Sequence, residues 1–306
     1  MLYPLTFEPI RKERVWGGEL WTVSDRPGDE SRIRNGRLAG QTLRRVMEEA
    51  RGGLLGDADP AVGDRFPLLC KIIDARETLS VQVHPPSHYA LESGGEPKTE
   101  MWYVTAAEPG AELYVGLRPG ITRETFEQRL AAGTVADTLH RIAVRPGDVM
   151  FLPSGRVHAI GGGMTLLELQ QNSDTTYRVF DWNRAGFDGK PRELHVRESL
   201  ASIDFGDVAP ALAPATFIAD GATSLRPIVR HPLFDVDVVR ADRAVSSALG
   251  DARLRIVAGV EKTLTVHGAG ESVSVGAGDF CVLPASVEDV AIDADAGSVY
   301  LLVTAG

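Results

Sequence analysis

Apolar and polar positions along this chain fall mostly into short alternating or β-branched runs. TLSVQVH, EMWYVTA, AELYVGL, DVMFLP, MTLLELQQ, FDVDVVRA, RLRIVAGV, KTLTVHG and SVYLLVTA are examples, broken by Gly, Pro, Asp or Asn. A period of two puts successive side chains on opposite faces of a strand. So many short strands with turn signals between them predict an all-β barrel or sandwich and not alternating βα units. Helical spacing is sparse. GQTLRRVMEEARGGLLG carries Leu43, Val46 and Met47 at helical intervals and ends in Gly, which predicts a helix. ITRETFEQRLAAGTVADTLHRI reads as one or two short helices between strands, and HVRESLASIDF as the start of a connector that runs through the Ala/Pro-rich stretch to Pro214.

An internal echo suggests two β-units. VRPGDVMFLPSGRVHAI at 144–160 and VGAGDFCVLPASVEDVAI at 275–292 share G-D-x-x-x-L-P, a short turn and an apolar strand. The second copy has Val287, Glu288 and Asp289 where the first presents Val157 and His158. We therefore expect a polar-rich unit over 1–225 with short helical insertions, and a plainer, structural unit over 226–306 without the candidate ligands.

Composition narrows the function classes. The 306 residues are 43% hydrophobic and 24% charged, which is ordinary for a globular protein. A formal charge of -10 argues against nucleic acid or an anionic membrane as partner, while leaving room for a small anion held by local cations. The N-terminus carries no run of signal-peptide length and no stretch approaches a membrane span, so the expected location is cytoplasmic. Cys70 and Cys281 lie in apolar contexts and read as buried thiols.

In an extended TLSVQVHP, Ser80, Gln82 and His84 share one face and Leu79, Val81 and Val83 the other; in KTEMWYV, Lys98, Glu100 and Trp102 share a face. His158 follows a Pro-Ser-Gly turn where the chain re-enters a strand. Taken singly, each His and the Glu suit an ordinary turn or surface position; together, Gln82, His84, Glu100 and His158 form a mixed N/O donor set suited to Zn²⁺, Mn²⁺, Fe²⁺ or Co²⁺. A closed structural zinc site usually contains cysteine, so an open, working ion is expected. His88, His140, His195, His231 and His267 have no comparable context and read as structural.

These residues also carry a resemblance. PGDVMFLPSGRVH fits the second cupin signature, G-x5-P-x-G-x2-H, and QVH with Glu100 is similar to the first, its leading His replaced by Gln. FPLLCKIIDARETLSVQVHPPSHYA, GGEPKTEMWYV and LLELQQNSDTTYRVFDWNR resemble the short bacterial form of the type I mannose-6-phosphate isomerases, from Trp16–Gly18 through about the first two-thirds of the chain. The resemblance implies two cupin (jelly-roll) β-barrel units with a few short helices. It also implies one Zn²⁺ per chain on Gln82, His84, Glu100 and His158, and interconversion of mannose 6-phosphate and fructose 6-phosphate through a cis-enediol. By position it makes Arg178 the catalytic arginine, puts Lys98 and Glu168 in the active site, and brings Lys71, Ser80 and Arg184 to the substrate or its phosphate. Two departures, the residue before Lys98 and Pro86-Ser87, touch no ligand.

Isomerisation moves a proton between adjacent carbons, and the developing oxyanion needs a cation beside it. Arg178 supplies fixed charge. Lys98 serves as base if burial and a neighbouring cation, such as the metal ion, depress its pKa, whereas Glu168 is a base, an orienter of Arg178 or a partner of a ligand His, so the proton carrier stays open. Three other readings compete: an Fe²⁺ cupin oxygenase, a non-catalytic sugar-binding cupin, and an isomerase of another phosphorylated sugar. The cations Lys71, Lys98, Arg178 and Arg184 favour a sugar phosphate. Oligomeric state is not readable.

Overall fold

The computed structural model describes residues 1–306. Antiparallel sheet dominates, with four α-helices, the longest being Leu43–Leu55. That helix forms where Leu43, Val46 and Met47 make a buried stripe, and the Thr42 side chain accepts from the Arg45 N–H to cap its start. The insertion at 123–138 gives an α-helix, Arg123–Ala131, and a 3-10 turn, Val135–Thr138. Val196–Ser202 is a short helix within the segment read as a connector, and Ser87–Ser93 is a helix that periodicity did not suggest.

The chain forms two compact units, but they are not separated by one cut at residue 225. One comprises 1–10, 20–71 and 213–306; the other comprises 11–19 and 72–212. The reason is strand pairing. Leu5–Glu8 lies antiparallel to Phe280–Leu283 with Leu5 opposite Val282, so the N-terminus completes the C-terminal sheet. Hydrophobic pattern marks a strand but not its partner, so a linear reading assigns this segment to the wrong unit.

In the C-terminal unit an eight-stranded sheet and a four-stranded sheet hold apolar side chains such as Val236, Val238, Ile256, Phe280 and Leu301, all buried. Cys70 and Cys281 are buried free thiols, and burial pushes both well above the usual thiol range.

The other unit carries a five-stranded sheet, in the order Leu139–Ala143, Glu112–Leu117, His158–Ile160, Val81–Val83, Tyr177–Phe180. Its second sheet contains Val149–Leu152, Glu100–Ala107 and Met164–Gln171 side by side. Between the sheets lies a core of Trp16, Ile73, Leu79, Trp102, Leu113, Val115, Met150, Leu152 and Leu166. The outer face of the five-stranded sheet is covered by a second cluster, with Val81, Val83, Phe126, Val135, Val179 and Ile203. Leu79 thus packs inward, away from Val81 and Val83. The regular strand begins only at Val81, so strict alternation does not extend back to Leu79.

The sequence echo is a repeated device. In the first copy Asp148 Oδ2 accepts from Arg145 N at 2.9 Å; in the second, Asp279 Oδ2 accepts from Gly276 N at 3.0 Å. Each Asp closes the turn that launches an apolar strand, Val149–Leu152 or Phe280–Leu283.

Candidate metal centre

One row of paired residues crosses the five-stranded sheet. Val115 lies opposite His158, His158 opposite Gln82, and Gln82 opposite Arg178. Cross-strand partners point to one face, so Gln82, His158 and Arg178 all face inward. On the second sheet Glu100 pairs with Gln170 and Trp102 with Glu168. The Trp102 Nε1–H donates to Glu168 Oε2 at 2.9 Å, and the Trp102 and His158 rings meet edge to face at 5.2 Å.

His84 Nε2 and His158 Nε2 each stand 3.5 Å from Glu100 Oε1. The three residues are 2%, 1% and 0% exposed, so nothing solvates these atoms. Each imidazole is held through its other nitrogen. His84 Nδ1 donates to Thr175 O at 2.9 Å and His158 Nδ1 donates to Arg156 O at 2.9 Å. Those bonds fix the tautomer with both Nε2 lone pairs turned toward Glu100, the arrangement a metal-binding His needs. The Gln82 amide end lies 3.3 Å from His158 Nε2; a half-turn of the amide, which leaves its volume unchanged, brings its oxygen there.

His84 Nε2, His158 Nε2 and Glu100 Oε1 converge in the interior with their lone pairs facing one another, while Glu100 Oε2 is ion-paired with Lys98. Packing carboxylate and imidazole lone pairs against one another in the interior is costly, and a divalent cation set among them removes that cost. The four donors fit a borderline ion, Gln82 being the half-buried side from which a ligand enters.

Electrostatics agree. Burial, and then Lys98, lowers the His84 pKa to about 4, and burial also lowers that of His158. Both rings are therefore neutral ligands at neutral pH. Burial alone would raise Glu100, but Lys98 and the two imidazoles hold it well below the carboxylate range. Lys98 Nζ lies 2.9 Å from Glu100 Oε2. Burial would depress Lys98, yet Glu100 and Glu168 outweigh it and raise its pKa.

The turns that carry the candidate donors are built locally. Gly155 has φ +91°, and a Cβ there would come 3.2 Å from Ser202 O. Its N–H donates to His84 O at 2.9 Å, tying together the two segments that carry His84 and His158. Arg156 is clamped by Asp207 in a bidentate pair at 2.7 and 2.8 Å, and its Nη1 donates to Phe151 O. That pins the carbonyl that orients His158. Gln170, 0% exposed, gives its amide N–H groups to Gln171 O and Ser173 O. It anchors the turn from which Thr175 O reaches His84.

Of the cations, Arg184 donates to Asp181 Oδ1 at 2.6 Å and to Thr78 O at 2.8 Å. Asp181 also holds Arg192, at 2.6 and 2.7 Å. Arg178, half-buried, donates through Nη1 to Glu193 O at 2.8 Å; burial and the charge of Arg192 lower its pKa. Ser80 is buried at 3%. Lys71 belongs to the other unit, where its ammonium stands over the Trp21 ring at 5.0 Å. Sequence reading missed Thr175, Arg156, Asp207, Gln170, Asp181 and Arg192. A backbone carbonyl leaves no mark on residue type, though the charged Arg156 inside a G-R-V-H turn was a usable signal.

Known proteins share this architecture and these segments. Residues 8–99 match the catalytic-domain model of type I phosphomannose isomerases. Mannose-6-phosphate isomerase ManA of Bacillus subtilis is 42% identical over 219 residues, 66% of this chain and 68% of that protein. The Streptococcus mutans mannose-6-phosphate isomerase is 38% identical over 254 residues, covering 77% and 78%. A crystal structure of the Bacillus subtilis mannose 6-phosphate isomerase superposes with a TM-score of 0.87 at 29% identity over 99% of both chains. This chain belongs to the type I mannose-6-phosphate isomerase family.

Proposed function

We propose that this chain interconverts mannose 6-phosphate and fructose 6-phosphate through a cis-enediol, using one Zn²⁺ per chain held by Gln82, His84, Glu100 and His158. The observation that carries this reading, beside family membership, is the buried cluster of His84, Glu100 and His158, with both Nε2 atoms 3.5 Å from Glu100 Oε1. When bound, the ion would supply Lewis-acid polarisation of the substrate's reacting oxygen.

The chain's own groups do the rest. Arg178, on the same sheet face as Gln82, offers a buried Nε–H without a partner to the oxygen on which charge develops. Lys98 and Glu168 are the proton-bearing groups beside Glu100 and Trp102. Lys98 lies 2.9 Å from Glu100 Oε2 and Glu168 accepts from the Trp102 Nε1–H, so both stand beside the ion site, where either can carry the proton. Arg184, set in place by Asp181, takes the phosphate, with Ser80 assigned there by the family pattern. The substrate is a phosphorylated sugar, and we place the reaction in the cytoplasm. No helix is long and apolar enough to cross a membrane.

The test is direct. Purified protein should contain about one zinc per chain and convert mannose 6-phosphate to fructose 6-phosphate. Chelator should abolish turnover and added Zn²⁺ should restore it. Metal-replete protein that leaves mannose 6-phosphate untouched would overturn the proposal.

A further inference from the structure

Arg178 occupies an exposed kind of position in the fold. Its strand, Tyr177–Phe180, is the edge of the five-stranded sheet, and the pairing with Val81–Val83 slips register between Arg178 and Phe180. An edge strand leaves backbone N–H and C=O groups without ladder partners, and a register slip there re-aims side chains. A guanidinium meant to meet a developing oxyanion would be badly held by such a backbone unless something else fixed it.

The segment Arg192–His195 does so. His195 N donates to Arg178 O at 2.8 Å, and His195 Nδ1 accepts from Arg178 N at 3.2 Å. One residue thus supplies both ladder bonds that the sheet edge lacks, the second of them from its side chain. Glu193 O takes the Arg178 Nη1–H at 2.8 Å. Three residues upstream of the ring, Arg192 grips Asp181 through two bonds, so the segment is tied to the strand at both ends. The Nε–H of Arg178 is left buried and unpartnered.

The ring has forgone another job. His195 precedes the helix Val196–Ser202, where a polar side chain commonly accepts from the first helical N–H groups. Its side chain makes no such bond; only its carbonyl serves the helix, accepting from Ser199 N at 2.8 Å. The helix fixes the backbone and the imidazole turns back to Arg178.

We infer that His195 is a positioning residue for the isomerisation: as the Nδ1-acceptor tautomer it splints the edge strand so that the Arg178 Nε–H faces the reacting oxygen. This rests on the role assigned to Arg178 above.

Steady-state kinetics of the zinc-loaded enzyme test it with His195→Leu, His195→Asn and Arg178→Ala, singly and combined. His195→Leu should lower kcat about 10- to 100-fold with little change in KM and full zinc content. His195→Asn, whose side-chain oxygen can accept from Arg178 N, should recover most of the rate. In the Arg178→Ala background, adding His195→Leu should cost nothing further, because both act through one group. A full rate in His195→Leu, or a loss that multiplies with that of Arg178→Ala, overturns the inference. An unimpaired Arg178→Ala single variant would instead sink the role given to Arg178. Should His195→Leu fail to fold, His195→Gln, with its acceptor displaced by one carbon, takes its place in the cycle.

Discussion

His84 and His158 differ from the chain's other histidines in what their second nitrogen does. Each commits Nδ1 to a backbone carbonyl, Thr175 O or Arg156 O, and keeps Nε2 for the space beside Glu100. Removing either ring leaves Glu100 with fewer partners and the ion with three donors at most. We therefore expect His158→Ala to lose zinc and turnover together, by metal analysis and assay. Arg178 is no ligand: Arg178→Ala should retain zinc and lose turnover by about 10²- to 10³-fold, the scale of one oxyanion donor. Retention of full rate would remove Arg178 from the mechanism. The candidate donor types and the strand phase of Gln82, His84 and Glu100 were readable from residue identity. His195 read as structural because its use depends on a neighbour seventeen positions away.

At the scale of elements, the turns carry the centre. The Pro153–His158 turn needs Gly155 at φ +91° with Ser202 O close by, a conformation costing an L side chain roughly 1–2 kcal/mol. Gly155→Ala should lower the melting temperature by about 2–8 °C and weaken zinc affinity, because the same residue bonds His84 O; unchanged melting and affinity would refute that coupling. This glycine is legible in the P-x-G-x2-H spacing, since the turn that needs it is local. The Arg156–Asp207 clamp, by contrast, joins residues from distant elements. Asp207→Ala strands a largely buried guanidinium, and we expect about 3 kcal/mol of destabilisation, read by chemical denaturation, together with weakened zinc binding through the loosened Arg156 carbonyl.

Across the whole molecule, the site makes stability depend on pH in a defined direction. His84 is lowered from 6.5 to about 4, and His158 is lowered as well. Between those values the unfolded chain binds more protons than the folded one, so stability is fully present above about pH 6.5 and falls as the solution is acidified. Glu100, held below its ordinary 4.5, extends the loss to more acid solution. Lys98, raised above 10.5, acts at the other limb: its contribution stands below that value and goes only in strong alkali. Metal-free protein should therefore melt several degrees lower at pH 5 than at pH 7 by calorimetry; a flat profile would contradict the buried neutral imidazoles.

Residue order was enough to read the all-β character, the repeated G-D-x-x-x-L-P device and the candidate donors Gln82, His84, Glu100 and His158, because strand period, turn glycines and ligand chemistry are local properties. Other features exist only in three dimensions. Leu5–Glu8 joins the C-terminal sheet, Leu79 turns inward, Lys98 sits against Glu100 with its pKa raised, and His195 bonds the Arg178 backbone. Each of these depends on which distant backbone group or charge a residue meets, and burial, which sets the strength of those meetings, exists only once the chain has folded.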